Sequence, residues 1–127
     1  MLHYLHIGKT GGSTIKAALK DCGDLVVLHR HATRLRDVPV GQKVFFCIRH
    51  PVPRFVSGFN SRLRMGRPRL NRKWSPDEAR AFAIFKTPDA LAVALSARDE
   101  GTRTAAIEAM AALRHATPLT EWFSIEE

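Results

Sequence analysis

His6-Ile7-Gly8-Lys9-Thr10-Gly11-Gly12-Ser13-Thr14 is the stretch whose reading decides the fold. Ahead of it, Leu2, Tyr4 and Ile7 give a short apolar strand; within it two adjacent glycines allow a tight turn; after it, Ile15 to Leu19 resumes at helical spacing. Strand, loop and helix in that order aim backbone N–H groups, and the positive end of the helix dipole, at whatever lies above the loop. An anion is the expected guest. Lys9 adds a full charge, and the hydroxyls of Thr10, Ser13 and Thr14 add donors that glycine cannot supply. The nucleoside-triphosphate pattern does not fit: it needs a further glycine upstream of Gly-Lys-Ser/Thr, where this chain still runs as strand, and here the glycine pair follows the lysine.

A second stretch has the same design. Lys43-Val44-Phe45-Phe46-Cys47-Ile48 is a continuous apolar run rich in β-branched and aromatic residues, the pattern of a strand buried on both faces of a parallel sheet. It ends in Arg49, after which His50-Pro51-Val52-Pro53 stops the strand and Arg54 to Leu63 reads as a helix. Arg49 and Ser57 therefore flank one strand-to-helix turn. A guanidinium fork and a short hydroxyl could hold a dianionic phosphate from two sides.

Lys9-Thr10-Gly11-Gly12-Ser13-Thr14 resembles the 5'-phosphosulfate loop of sulfotransferases, and the run from Arg49 to Ser57 resembles their 3'-phosphate segment, in which a serine follows the strand-ending arginine by eight positions. The resemblance covers residues 2 to about 65 and is closest to the branch of carbohydrate sulfotransferases and their bacterial relatives. There the opening is commonly His-Ile-Pro-Lys-Thr-Gly-Gly, and Gly8 stands here in place of the proline. What it implies is an α/β fold of the P-loop-like sulfotransferase type, a short parallel sheet flanked by helices. Lys9, Thr10, Gly11, Gly12, Ser13 and Thr14 would hold the 5'-phosphosulfate of 3'-phosphoadenosine 5'-phosphosulfate (PAPS), and Arg49 and Ser57 its 3'-phosphate. The product would be adenosine 3',5'-bisphosphate. No metal is called for.

Between the two motifs, Leu25 to Leu28 reads as a strand running into His29-Arg30-His31, with both histidines on one face if the strand continues. Sulfuryl transfer needs a base for the acceptor hydroxyl, and the family often places a histidine just after its second strand. His31 is the first candidate and His29 the second, with Lys9 as the group that neutralises the leaving oxygen. A strand-end structural role for either histidine is the alternative. No cysteine or carboxylate has metal-ligand spacing to the pair.

The chain has 127 residues, enough for one core, and 45% hydrophobic content. It reads as a single domain over 1–127, with a donor-binding α/β part over 1–65 and a helical part over 75–127. Members of the family are commonly longer, so the expectation is a truncated or minimal member, or one whose missing walls come from a second copy. Cys22 and Cys47 suggest reduced, apolar-type thiols rather than a disulfide framework. With no signal-peptide pattern and no long apolar run, the expected location is cytoplasmic, without membrane contact.

The net charge is +8, and Arg62, Arg64, Arg67, Arg69, Arg72 and Lys73 crowd one stretch that ends at Trp74. Such a cluster attracts polyanions; the alternatives are a solvated mobile loop, favoured by Gly66 and Pro68, and a nucleic-acid module, disfavoured by the lack of interleaved aromatics. Downstream, Ser75-Pro76-Asp77-Glu78 is a capping box, Thr87-Pro88-Asp89 starts a second helix and Thr117-Pro118 a third. Phe82, Phe85, Leu91, Leu95, Ile107, Met110 and Leu113 fall at helical spacing as candidate core residues that would cover the sheet, and His115 and Trp122 read as core or surface residues before acceptor contacts. The functional expectation is sulfuryl transfer from PAPS to an acceptor hydroxyl, with a glycan or small carbohydrate favoured. A non-catalytic nucleotide-binding protein and a P-loop kinase or nucleoside triphosphatase are the alternatives.

Overall fold

The computed structural model describes residues 1–124 and divides the chain into two units, one formed by residues 1–50 with the segment from 118 onward, the other by residues 51–117. In the first unit, β1 (Leu2–Tyr4), β2 (Val26–Leu28) and β3 (Lys43–Phe45) form a three-stranded parallel sheet in the order β2-β1-β3. Leu2 pairs with Val26 on one side and Lys43 on the other, and Tyr4 with Leu28 and Phe45. Each strand is shorter than its apolar run, but the ladder continues briefly through Leu5 N–H to Phe45 O and His29 N–H to Tyr4 O. Helix α1 (Gly12–Leu19) supplies the crossover from β1 to β2.

Only the central strand has the burial its sequence suggests. His3 through Ile7 are all buried, with Tyr4, Leu5 and Ile7 at 0% exposure. The expectation that residues 43–48 are buried on both faces does not hold: β3 is an edge strand, Lys43 is exposed, Phe46 is 40% exposed and Ile48 68%. An apolar run tells that a segment favours burial but not which place it takes in the sheet, and the edge has a neighbour on one side only. Cys47, past the end of β3, is half-buried. The segment after Thr117 closes this unit: Trp122, in a short 3-10 turn (Leu119–Trp122) rather than the α-helix expected there, is buried, and Phe123 lies against Phe46 with ring centroids 4.6 Å apart.

The second unit is helical: α2 (Pro51–Leu63), α3 (Pro76–Ile84), α4 (Pro88–Leu95) and α5 (Glu100–Ala112). The prolines that were expected to separate strand from helix instead occupy the first turn of α2, where their missing N–H groups cost nothing. Ser75 and Thr87 cap α3 and α4 as their sequences suggest, and Asp99, not foreseen, caps α5 by accepting from the Thr102 N–H at 2.7 Å. These helices bury their apolar faces against one another. Phe82 meets Phe59 edge-on at 5.3 Å, and Leu91, Ala94, Ala106, Ala109 and Leu113 complete the core. Alanine at 106 and 109 lets α5 come close to its neighbours, whereas Ile107, expected in the core, is 56% exposed, one residue around the helix from the buried face.

Arg62 is a second departure, since it belongs to the core and not to the exposed basic cluster. It is buried, its Nε donates to Glu78 Oε1 at 3.0 Å, its Nη2 pairs with Glu78 Oε2, and its remaining N–H groups reach the carbonyls of Arg72 and Lys73. Trp74 Nε1 donates back to the Arg62 carbonyl at 2.8 Å. Glu78 also completes the capping box of α3, so one carboxylate serves a helix end and a buried guanidinium. Removing one member of such a pair strands the other charge in the core. Glu78→Ala should therefore destabilise the fold by about 3–5 kcal/mol, while Glu78→Leu combined with Arg62→Met should recover much of the loss. Urea unfolding of the single and double variants measures both.

Candidate functional site

Because the three strands are parallel, their carboxyl ends lie on one edge of the sheet, and the segments leaving that edge carry Lys9 after β1, His29 and His31 after β2, and Arg49 after β3. The chain goes from β1 to β2 on one side and then returns past β1 to β3 on the other. The strand order thus reverses between β1 and β3, the place where open α/β sheets form a ligand crevice. An open depression lined by Leu2, Asp24, Leu25, Gln42 and Lys43 lies at the opposite, amino end of the strands.

The loop after β1 makes its turn through two left-handed residues, Lys9 at φ 65° and Gly11 at φ 86°. The Thr10 hydroxyl donates inward to the Ile7 carbonyl at 2.8 Å and braces the loop from within. Gly11 is the N-cap of α1 and brings no side chain to it, no acidic residue occupies the first turn, and the Thr14 N–H turns back to the Gly11 carbonyl at 3.1 Å. Ser13 and Thr14 are exposed there, Lys9 is half-buried and Gly12 is buried. Arg49 is exposed past β3; Ser57, half-buried, lies in α2 of the second unit.

Gly12 is required by its neighbour. A methyl group there would lie 1.9 Å from His6 Cδ2 and 2.0 Å from Nε2, because the His6 ring fills the space a side chain would need. His6 is buried, and burial first, then His31 and Lys16, depress its pKa to about 4. It is neutral at neutral pH. The His31 ring stands with its centroid 3.7 Å from that of His6, and His31 Nδ1 is 3.1 Å from the His6 carbonyl oxygen. A carbonyl only accepts, so Nδ1 carries the proton and the lone pair of neutral His31 is on Nε2. The His31 carbonyl in turn accepts from Arg34 Nη1 and from Trp122 Nε1, both at 3.0 Å, and the Arg34 guanidinium lies 4.6 Å above the Trp122 ring.

His29 is held differently. The strand stops at Leu28, and His29 Nε2 pairs with His3 Nδ1 at 2.8 Å, the two rings stacked with centroids 5.1 Å apart. One of these nitrogens donates and the other accepts, so His29 has its Nε2 committed to another imidazole. Burial, His3 and Lys16 lower its pKa, and Asp37 opposes them. Of the two candidate bases, His29 therefore has its Nε2 against an imidazole, and His31 has its Nδ1 against a carbonyl. His6, quoted in the motif but given no role from sequence, lies against both Gly12 of the loop helix and His31; its place between the apolar run of β1 and the glycine loop was the available signal.

No family model, no curated protein and no solved structure matches the chain. The functional reading rests on the site's own chemistry.

The depressed pKa of His6 has a measurable consequence. An unfolded histidine protonates near 6.5 and the folded one only near about 4, so between these values the unfolded state binds more protons and stability falls with falling pH. The contribution is complete above about pH 6.5 and is lost progressively toward pH 4, amounting to about 2 kcal/mol between pH 8 and pH 5. His6→Asn should flatten that part of the stability profile, as read from urea unfolding at a series of pH values.

Proposed function

We propose that this chain binds PAPS and transfers its sulfuryl group to an acceptor hydroxyl. The observation that supports the reading most is the edge of the sheet itself: a helix start without a side-chain cap, behind a glycine loop with Lys9, and the segment that carries Arg49 after the neighbouring parallel strand, leave the same end of the sheet where the strand order reverses. Two anionic groups of one nucleotide suit this pair of turns. The 5'-phosphosulfate would lie on the first turn of α1 under Lys9, and the 3'-phosphate on the Arg49 fork.

In the transfer, the acceptor oxygen forms a bond to sulfur while the bond between sulfur and the bridging oxygen breaks in line on the opposite side. The electron pair of that bond leaves with adenosine 3',5'-bisphosphate, where Lys9 offsets the new charge. His31 Nε2 takes the acceptor's proton. Positioning and electrostatics carry most of such a reaction, since the chain forms no covalent bond to the group in transit.

Calorimetric titration with adenosine 3',5'-bisphosphate tests the donor site. Arg49→Ala should weaken binding by about 10- to 100-fold, the value of a charge-assisted contact, and Lys9→Ala should reduce turnover more than donor affinity. His31→Ala should lower kcat by about 10²- to 10⁴-fold with the dissociation constant of the bisphosphate little changed. Equal bisphosphate affinity in the wild type and Arg49→Ala would remove the 3'-phosphate assignment, and tighter binding of magnesium ATP than of the bisphosphate would favour a kinase-type donor.

A further inference from the structure

We infer that His6 is a positioning residue of this site: one imidazole, wedged between Gly12 and His31, seats the first turn of the loop helix and orients the candidate base at the same time. The inference deepens the proposed sulfuryl transfer and rests on it for its use, but its geometry stands apart from any nucleotide.

Three contacts carry it. The ring of His6 occupies the space over Gly12, with Cδ2 and Nε2 within about 2 Å of where a methyl group would stand, so the start of α1 cannot move toward β1 without moving this ring. The same ring lies against His31 at a centroid separation of 3.7 Å and an interplanar angle of 36°. The backbone carbonyl of the same residue accepts from His31 Nδ1. His31 therefore meets His6 twice, at its ring and at its Nδ1, while Arg34 and Trp122 hold its carbonyl.

The consequence is chemical. With its Nδ1–H bound to a carbonyl, neutral His31 carries its lone pair on Nε2, the atom the proposed general base uses. The charged and titratable groups acting on His6 are His31 and Lys16, and a neutral ring can sit beside a cation and a second imidazole without adding a charge of its own. Because a single ring touches both the helix start and the base, displacing it should disturb both.

The tautomer of His31 is the readout, measured by nitrogen-15 chemical shifts of the imidazoles at a pH where His31 is neutral, without nucleotide. In the wild type the Nδ1–H form should dominate, by up to about tenfold for one hydrogen bond. Gly12→Ala, which forces the His6 ring aside, and Gly12→Ala combined with His6→Ala, which removes the clash together with the ring, should both lose that preference. The double variant should regain stability relative to Gly12→Ala without regaining the tautomer, which separates positioning from packing. A wild-type His31 carrying its proton on Nε2 would overturn the inference whether or not the variants fold. So would a folded double variant in which the Nδ1–H preference is unchanged. Bisphosphate binding is scored independently: a correct tautomer with no nucleotide binding sinks the sulfuryl-transfer reading alone, whereas binding with the wrong tautomer sinks only the role given to His6.

Discussion

Gly12 has no side chain, and the imidazole of His6 takes the space that one would fill. The rest of the sheet's carboxyl edge depends on that close approach. It lets α1 begin with Gly12 directly against the buried stretch that follows β1. Gly11, at positive φ, makes the turn that brings the chain there. The adjacent glycines therefore have different reasons to be glycine. One is required by its backbone angle, and the other by a ring that belongs to a residue six positions earlier.

The same packing sets the electrostatics. Histidine is the one side chain whose ordinary titration falls near neutrality, and four of them lie in contact pairs at this edge: His3 with His29, and His6 with His31. Charging both members of either pair would place like charges in van der Waals contact. Burial first, then the partner histidine and Lys16, act against protonation of His6 and His29.

How far the sequence could be read depends on the kind of information each feature needs. The loop was legible because Gly-Gly between an apolar run and a helical pattern is local, as were the caps at Ser75 and Thr87 and the parallel strands themselves. The partner of each histidine was not. Nothing local in His29-Arg30-His31 tells that the first ring meets His3 and the second meets His6, because both pairings cross between strands. The rank of β3 in the sheet was hidden for the same reason, and its apolar run suggested a burial that an edge position does not give. Arg62 was read with its basic neighbours because charge runs are counted along the chain; what buries it is Glu78, sixteen positions later, through a double contact.

That ion pair also explains how a crowded basic segment folds at all. Arg64, Arg67, Arg69, Arg72 and Lys73 are all exposed and all positive, with no acidic residue between them. In water the repulsion of two such charges is about 1 kcal/mol at 4 Å and less at larger separations, so each pair is a small cost, but the sum opposes closing the loop. Closure is supplied by the backbone. Gly66 N–H reaches the Ser61 carbonyl at 2.7 Å, Leu70 N–H reaches that of Gly66 at 3.0 Å, and Arg72 N–H reaches that of Met65 at 2.9 Å. Arg62 then holds the carbonyls of Arg72 and Lys73 from inside, with Glu78 balancing its charge. A buried pair of this kind adds little net stability over an apolar replacement. Its value here is geometric, because an apolar side chain at position 62 would offer no donors to the returning strand of the loop, and the cations would lose the backbone frame that keeps them on one short, exposed turn.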